Sequence, residues 1–256
     1  MLKLKYNYIY LFLGVAILII ITSIFIMINN NKKNFNCKFL SKEETKLFIN
    51  NDIDNYIKNL SIYDIKARKV NSNEEYKQKV INSCLDFTLE QIEKLKKCSL
   101  EAEKFFNNNN IWTFALIDNN YEEGFPHTRT NIIFLSPNVI NYEEIELIKT
   151  LIHESIHIYQ RYNKKEIKEY LKNNGYSFSR YKPLVSLIRA NPDLDNIIYK
   201  DRNGIELVAY YNSDNPTGIN DITLKNYMYE HPFEKMAYEI AEIYYKSVIS
   251  KYKDII

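Results

Sequence analysis

The sequence predicts an α+β fold, mostly helical, with a small antiparallel sheet ahead of one amphipathic helix and a transmembrane helix at the N-terminus. Three observations predict it. Residues 8–28 form an uninterrupted uncharged run, and ~20 such residues at about 1.5 Å each span a hydrocarbon core of about 30 Å. Over most of the remaining chain the apolar residues recur at helical spacing. Between residues 111 and 135 that period gives way to two short β-rich runs, 111–117 and 131–135. The 256 residues divide into a membrane anchor and linker (1–35), a helical region (36–110) and a region that carries the chemistry (111–256).

Composition narrows the function. Hydrophobic residues make up 46% and charged residues 26%, enough apolar surface for a packed core. The 34 Lys and Arg offset 32 Asp and Glu to leave +2, and the basic residues are scattered, so no nucleic-acid partner is expected. The three cysteines, Cys37, Cys84 and Cys98, are odd in number and widely spaced, unlike a disulfide framework or a cysteine zinc site. On one helix Cys84 and Cys98 would stand roughly 21 Å apart, beyond disulfide reach. They are read as buried free thiols.

The elements follow in order. The 8–28 run is read as an uncleaved single-pass anchor in a membrane. Its orientation is open, because Lys3 and Lys5 balance Lys32 and Lys33. Residues 29–39 are a polar linker. Ser41 with Glu44 opens a helix as a capping box, and a second helical region covers 73–106, with a restart at Thr88–Gln91. After the two β runs, Pro137 breaks the strand, and Asn141 with Glu144 caps a helix reaching about Tyr162. A helix over 164–172 stops at Gly175, a hairpin turns on Arg202-Asn203-Gly204, and a last helix runs from Pro232 to about Tyr252. Asn191-Pro-Asp-Leu-Asp195 reads as turn chemistry.

The helix over 141–162 carries His153-Glu154-Ser155-Ile156-His157. Histidines four apart stand one turn apart on one face, so two imidazoles can bind one ion at about 2.0–2.1 Å. Glu154 points beside that ion, where it can take a proton from water. Chance gives His-Glu-x-x-His in a chain of this length at about half a percent. A catalytic zinc needs a third protein ligand, and no histidine occurs between His157 and His231. Glu234, in the first turn of the helix opened by Pro232, is the best source. Ala237 and Ala241 on its face would let the two helices approach closely. The competing reading makes Glu234 only a favourable charge at a helix N-terminus.

In these motifs the chain resembles a zincin of the gluzincin type, a His-Glu-x-x-His zinc metallopeptidase with a downstream glutamate ligand. His231-Pro-Phe-Glu-Lys-Met-Ala237 is similar to the Asn-Pro-x-Glu-x-x-Ala pattern of several small members, with His in place of Asn. The run Thr150–Arg161 also resembles, more distantly, uncharacterised zincin-like proteins of large DNA viruses. The resemblance covers roughly 111–250. It implies Zn2+ held by His153, His157 and Glu234, and zinc-activated water attacking the bond of a peptide or protein substrate, with Glu154 as general base. It also implies that the strand before the metal helix, 131–135, edges the cleft and pairs with an extended substrate. The acidic residue expected four after the third ligand is here Tyr238, which leaves the partner of His153 open.

Strand alternation would put His127, Arg129 and Asn131 on one side, where His127 or Arg129 could contact the substrate or its oxyanion. His231 is a comparable candidate, as oxyanion donor or as an alternative ligand. Two other functions fit the same motif. One is a zinc hydrolase of a non-peptide amide. The other is a non-catalytic, membrane-anchored interaction or structural protein whose zinc is sealed by a fourth ligand such as His231.

Overall fold

The computed structural model describes residues 36–106, 112–225 and 228–253, and Cys37–Ile256 forms one compact unit. The predicted fold class is corrected in two respects. Among the described residues no helix is long and apolar enough to cross a membrane, so the described part of the fold includes no transmembrane helix; the 8–28 run lies outside it. The sheet ahead of the long amphipathic helix, moreover, is mixed, not simply antiparallel.

Five strands build it: β1 (Cys37–Phe39), β2 (Cys84–Leu85), β3 (Trp112–Ile117), β4 (His127–Arg129) and β5 (Ile132–Leu135). The order is β1-β3-β5-β4, with β2 also on β3. The β1–β3 and β3–β5 pairs are parallel, while β4 returns antiparallel to β5. Every residue of β3 and β5 is buried, which suits central strands covered on both faces. The strand expected to edge the cleft, 131–135, is therefore interior. The edge belongs to β4, which is reached by a hairpin turning at Thr130 (φ 53).

Four helices come from the first half: α1 (Lys42–Asn51), α2 (Ile62–Ala67), α3 (Asn73–Ser83) and α4 (Leu89–Phe105). Ser41 with Glu44, Ser61 with Asp64 and Thr88 with Gln91 close reciprocal capping boxes that satisfy otherwise orphaned N–H groups. Leu40, Ile49, Ile57, Tyr76 and Val80 share one buried cluster with Ala115, Ile117 and Phe134. Residues before 110 thus supply two strands of the sheet and part of its core.

Pro137 does more than end β5. It stands at the first turn of a short helix, α5 (Pro137–Ile140), and Asn141 closes that helix instead of capping the next. The long helix α6 (Glu144–Tyr162) then starts at Glu143 without a side-chain cap. Beyond α7 (Lys164–Asn173), Gly175 turns the chain at φ +78 with Arg202 against it, where a Cβ would collide. Strands β6 (Ser177–Tyr181), β7 (Ile197–Lys200) and β8 (Glu206–Leu207) form a second sheet, and β9 (Ala209–Tyr211) pairs with β10 (Ile222–Leu224). The last helix, α8 (Pro232–Lys253), lies along α6. Ala237 and Ala241 are fully buried in that contact region, so small side chains let the two backbones come close.

Candidate metal centre

Helices α6 and α8 bring three side chains together: His153, His157 and Glu234. The two Nε2 atoms lie 3.0 Å apart, and Glu234 Oε2 is 3.5 Å from His153 Nε2 and 3.7 Å from His157 Nε2. Ligands of a tetrahedral ion at about 2.0–2.1 Å stand about 3.4 Å from one another. The three edges bracket that value. Among the described residues this is the one group of three or more potential ligands within such reach.

The surroundings decide which atoms face inward. Phe233 O accepts the Gln160 amide N–H at 3.0 Å, so Gln160 Oε1 faces His157 Nδ1, also at 3.0 Å. That oxygen accepts a hydrogen bond from Nδ1–H, which leaves the Nε2 lone pair for an ion. On the other side, Asn191 donates its amide to Glu234 Oε1 at 2.8 Å and to Glu230 Oε1 at 2.9 Å. Glu234 Oε2 stays free to point at the histidines. Glu230 is itself held by Arg189. Three lone pairs thus converge on one point, an arrangement that repels itself unless a proton or a cation sits between.

Charge follows the same geometry. Burial works against ionising Glu234, but His157, His153 and the Asn191 amide outweigh it and bring the carboxyl to about 2. Burial lowers His157 below the usual histidine range, with Asp193 and Glu234 pulling the other way. Glu154 is 2% exposed, and its Oε2 has no hydrogen-bond partner. Burial, then repulsion from Asp193 and Glu234, raises its carboxyl well above the usual range, opposed by Arg161. A buried carboxyl beside the convergence point, with one oxygen unengaged, is suited to take and return a proton.

The triad opens on a cleft of about 400 Å3 whose wall includes His127, Glu154, Asp193, Glu230 and Tyr238. Tyr238 takes the position where the resemblance puts an acid. Its ring meets His153 edge to face at 4.5 Å. Burial first, then Glu234, Glu154 and Glu230, push its hydroxyl up to about 12, so it remains a donor.

The other sequence candidates lie differently. His127 lines the cleft, with Nδ1 2.9 Å from Phe125 O and its ring stacked on Phe134. The carbonyl requires a proton on Nδ1, so the buried Nε2, which has no partner, is an acceptor. Arg129 does not reach the cleft. Its fully buried guanidinium pairs with Asp52 and Asp54, bonds Tyr121 Oη at 3.0 Å and lies over the Phe48 and Tyr56 rings. Asn131 falls in the β4–β5 turn. His231 starts α8: its Nδ1 accepts the Phe233 N–H at 3.1 Å, and its Nε2 faces Ile197 O at 3.2 Å. It lines a separate cavity and is no fourth ligand.

Gln160, Asn191 and Asp193 are absent from the sequence-derived site. The Asn191–Asp195 turn is indeed turn chemistry, with Asp193 N–H bonded to Asn191 Oδ1 at 2.9 Å. The same turn also delivers the Asn191 amide to Glu234. No protein-family model, curated protein or solved structure matches the chain, so the reading of the site rests on its own geometry.

Proposed function

We propose that the chain is a zinc-dependent metallopeptidase with His153, His157 and Glu234 as ligands and Glu154 as general base. The observation that carries this reading is the convergence of three lone pairs beside a buried carboxyl with one oxygen unpartnered, at the wall of an open cleft. A zinc ion bound there would supply Lewis acidity, lowering the pKa of water and polarising the scissile carbonyl. Glu154 takes the proton of the attacking water and returns it to the leaving amine. Tyr238, protonated and beside His153, donates to the oxygen that gains charge as the carbonyl is attacked. A sealed structural site would need a fourth protein ligand, and the engagement of His231 with Phe233 and Ile197 speaks against that alternative.

Zinc titration and hydrolysis of a mixed peptide library test the proposal together. Wild type should bind about one zinc per chain, and His153→Ala or Glu234→Ala should lose most of that affinity. Glu239→Ala is the control, because Glu239 pairs with Lys235 at the surface. Glu154→Gln should keep zinc and lose about 10²–10⁴ in rate. Zinc-free, well-folded protein, or a Glu154→Gln variant as active as wild type, would sink the reading.

A further inference from the structure

In the gluzincin picture an extended peptide adds as a strand to the sheet edge beside the metal. Here that edge is β4, and it is closed. The Thr128 N–H donates to Asp193 Oδ1 at 2.6 Å, and the Thr128 hydroxyl donates to the same oxygen at 2.7 Å. The Thr128 carbonyl accepts from Arg161 at 3.0 Å, and Arg161 also reaches Thr130 O and Pro192 O. The outward backbone groups of the edge strand are thus consumed by side chains. A substrate cannot pair with β4 at Thr128, so one end of the cleft is a wall.

That wall has a definite polarity. His127 is 2% exposed, and its unpartnered Nε2 presents a lone pair. Asp193 is 8% exposed and lines the same cleft. Its Oδ1 is the atom that holds Thr128, and no hydrogen bond among the described residues engages Oδ2. Arg161 pairs with Asp193 Oδ1 at 3.9 Å, while its N–H groups donate to Thr128, Thr130 and Pro192. A buried acceptor without a partner, such as His127 Nε2, is costly, and the carboxylate of Asp193 beside the same cleft adds a negative charge. A ligand that brings N–H donors and a positive charge to that point satisfies His127 Nε2 and meets the Asp193 carboxylate. A carboxylate end would meet lone pairs and a like charge.

From these features we infer that the wall formed by His127 and Asp193 is a subsite for an ammonium group of the substrate. This rests on the proposed peptidase reading and narrows its substrate class. An ammonium offers three donors, enough for both His127 Nε2 and the Asp193 carboxylate. Phe125, Ile219, Ile222, Leu224, Met228 and Tyr229 line the same cleft and suit an apolar side chain near that group. The ammonium is either a peptide's amino terminus, which makes the enzyme trim chains from that end, or a lysine side chain.

Calorimetric binding to the full, zinc-loaded chain distinguishes these. One arm compares leucinamide with N-acetylleucinamide. The other compares an N-acetylated peptide containing lysine with its norleucine counterpart. The free amine should bind at least about tenfold tighter in one arm, and that arm identifies the source. Asp193→Asn tests the wall itself: Oδ1 can still hold Thr128, while the amide nitrogen turns the second acceptor into a donor. The preference should vanish in this variant with zinc content unchanged. Binding indifferent to the amine in both arms would overturn the subsite. So would a preference that survives Asp193→Asn, since the amine would then sit on the metal. Binding is read without turnover, so a chain that binds the amine but cleaves nothing would count against the peptidase reading alone.

Discussion

Gln160 joins the two halves of the centre through one amide. Phe233 O fixes which way the amide points, the amide fixes the tautomer of His157, and the tautomer frees Nε2. Gln160→Ala should therefore weaken zinc by about 10–100-fold, the usual consequence of losing such a partner, although no ligand is touched. Gln160→Glu keeps an acceptor for Nδ1–H but leaves Phe233 O without its donor, so its affinity should fall between the two. Equal zinc affinity in all three proteins, measured against a competing chelator, would refute this role. Tyr238→Phe probes the neighbouring donor. The ring contact with His153 survives, so zinc and KM should hold while kcat drops about 10²–10³-fold. Unchanged kcat would move the oxyanion donor elsewhere.

The helices of the site were legible because their signals are local. His-Glu-x-x-His fixes its own face, and Pro232 fixes the first turn that holds Glu234. The short edge strand β4 was not legible, nor was the closure of its outer side, which comes from residues 33 and 65 positions away. The same limit hid Arg129. Strand alternation alone could not reveal that Asp52 and Asp54, 77 and 75 residues earlier, bury its charge. The interior position of β5 also depends on where β3 and β4 dock. The histidine at the start of α8 shows the converse, a residue that looked catalytic acting on its own helix. Replacing His231 with Ala removes a cap whose loss typically destabilises by about 0.5–2 kcal/mol. Urea unfolding should show a loss of that order, with zinc stoichiometry intact. Loss of zinc in folded His231→Ala protein would return it to the ligand set.

Buried charge makes the stability of the whole molecule depend on pH, and the sign differs between groups. The Glu154 carboxyl is raised in the fold, so the native state holds its proton above the ordinary carboxylate range while the unfolded chain does not. Its contribution is present below that range and is lost as pH rises through the raised value. Glu234, brought down to about 2, stabilises above the ordinary range and loses that contribution as pH falls toward 2. His157, lowered in the fold, favours the native state as pH rises through the ordinary histidine range, which partly masks Glu154. Comparing wild type with Glu154→Gln in chelator isolates the first group. The stability of the variant relative to wild type should grow as pH is raised from about 5 to 8. A difference that stays flat over that range would mean Glu154 is ionised in the metal-free fold.

One hydrogen bond has a wider consequence. Asp64, in α2, accepts the Ala190 N–H at 2.8 Å across 126 residues, and Tyr211 donates to the same oxygen at 3.1 Å. The next residue along is Asn191, whose amide aims Glu234. The proposed third ligand is therefore steered from a part of the chain that carries none of the recognisable motif. A designer who transplanted α6 and α8 onto a foreign scaffold would take every ligand and Gln160 along, yet leave that steering behind. The motif can travel; the anchorage that points its glutamate cannot.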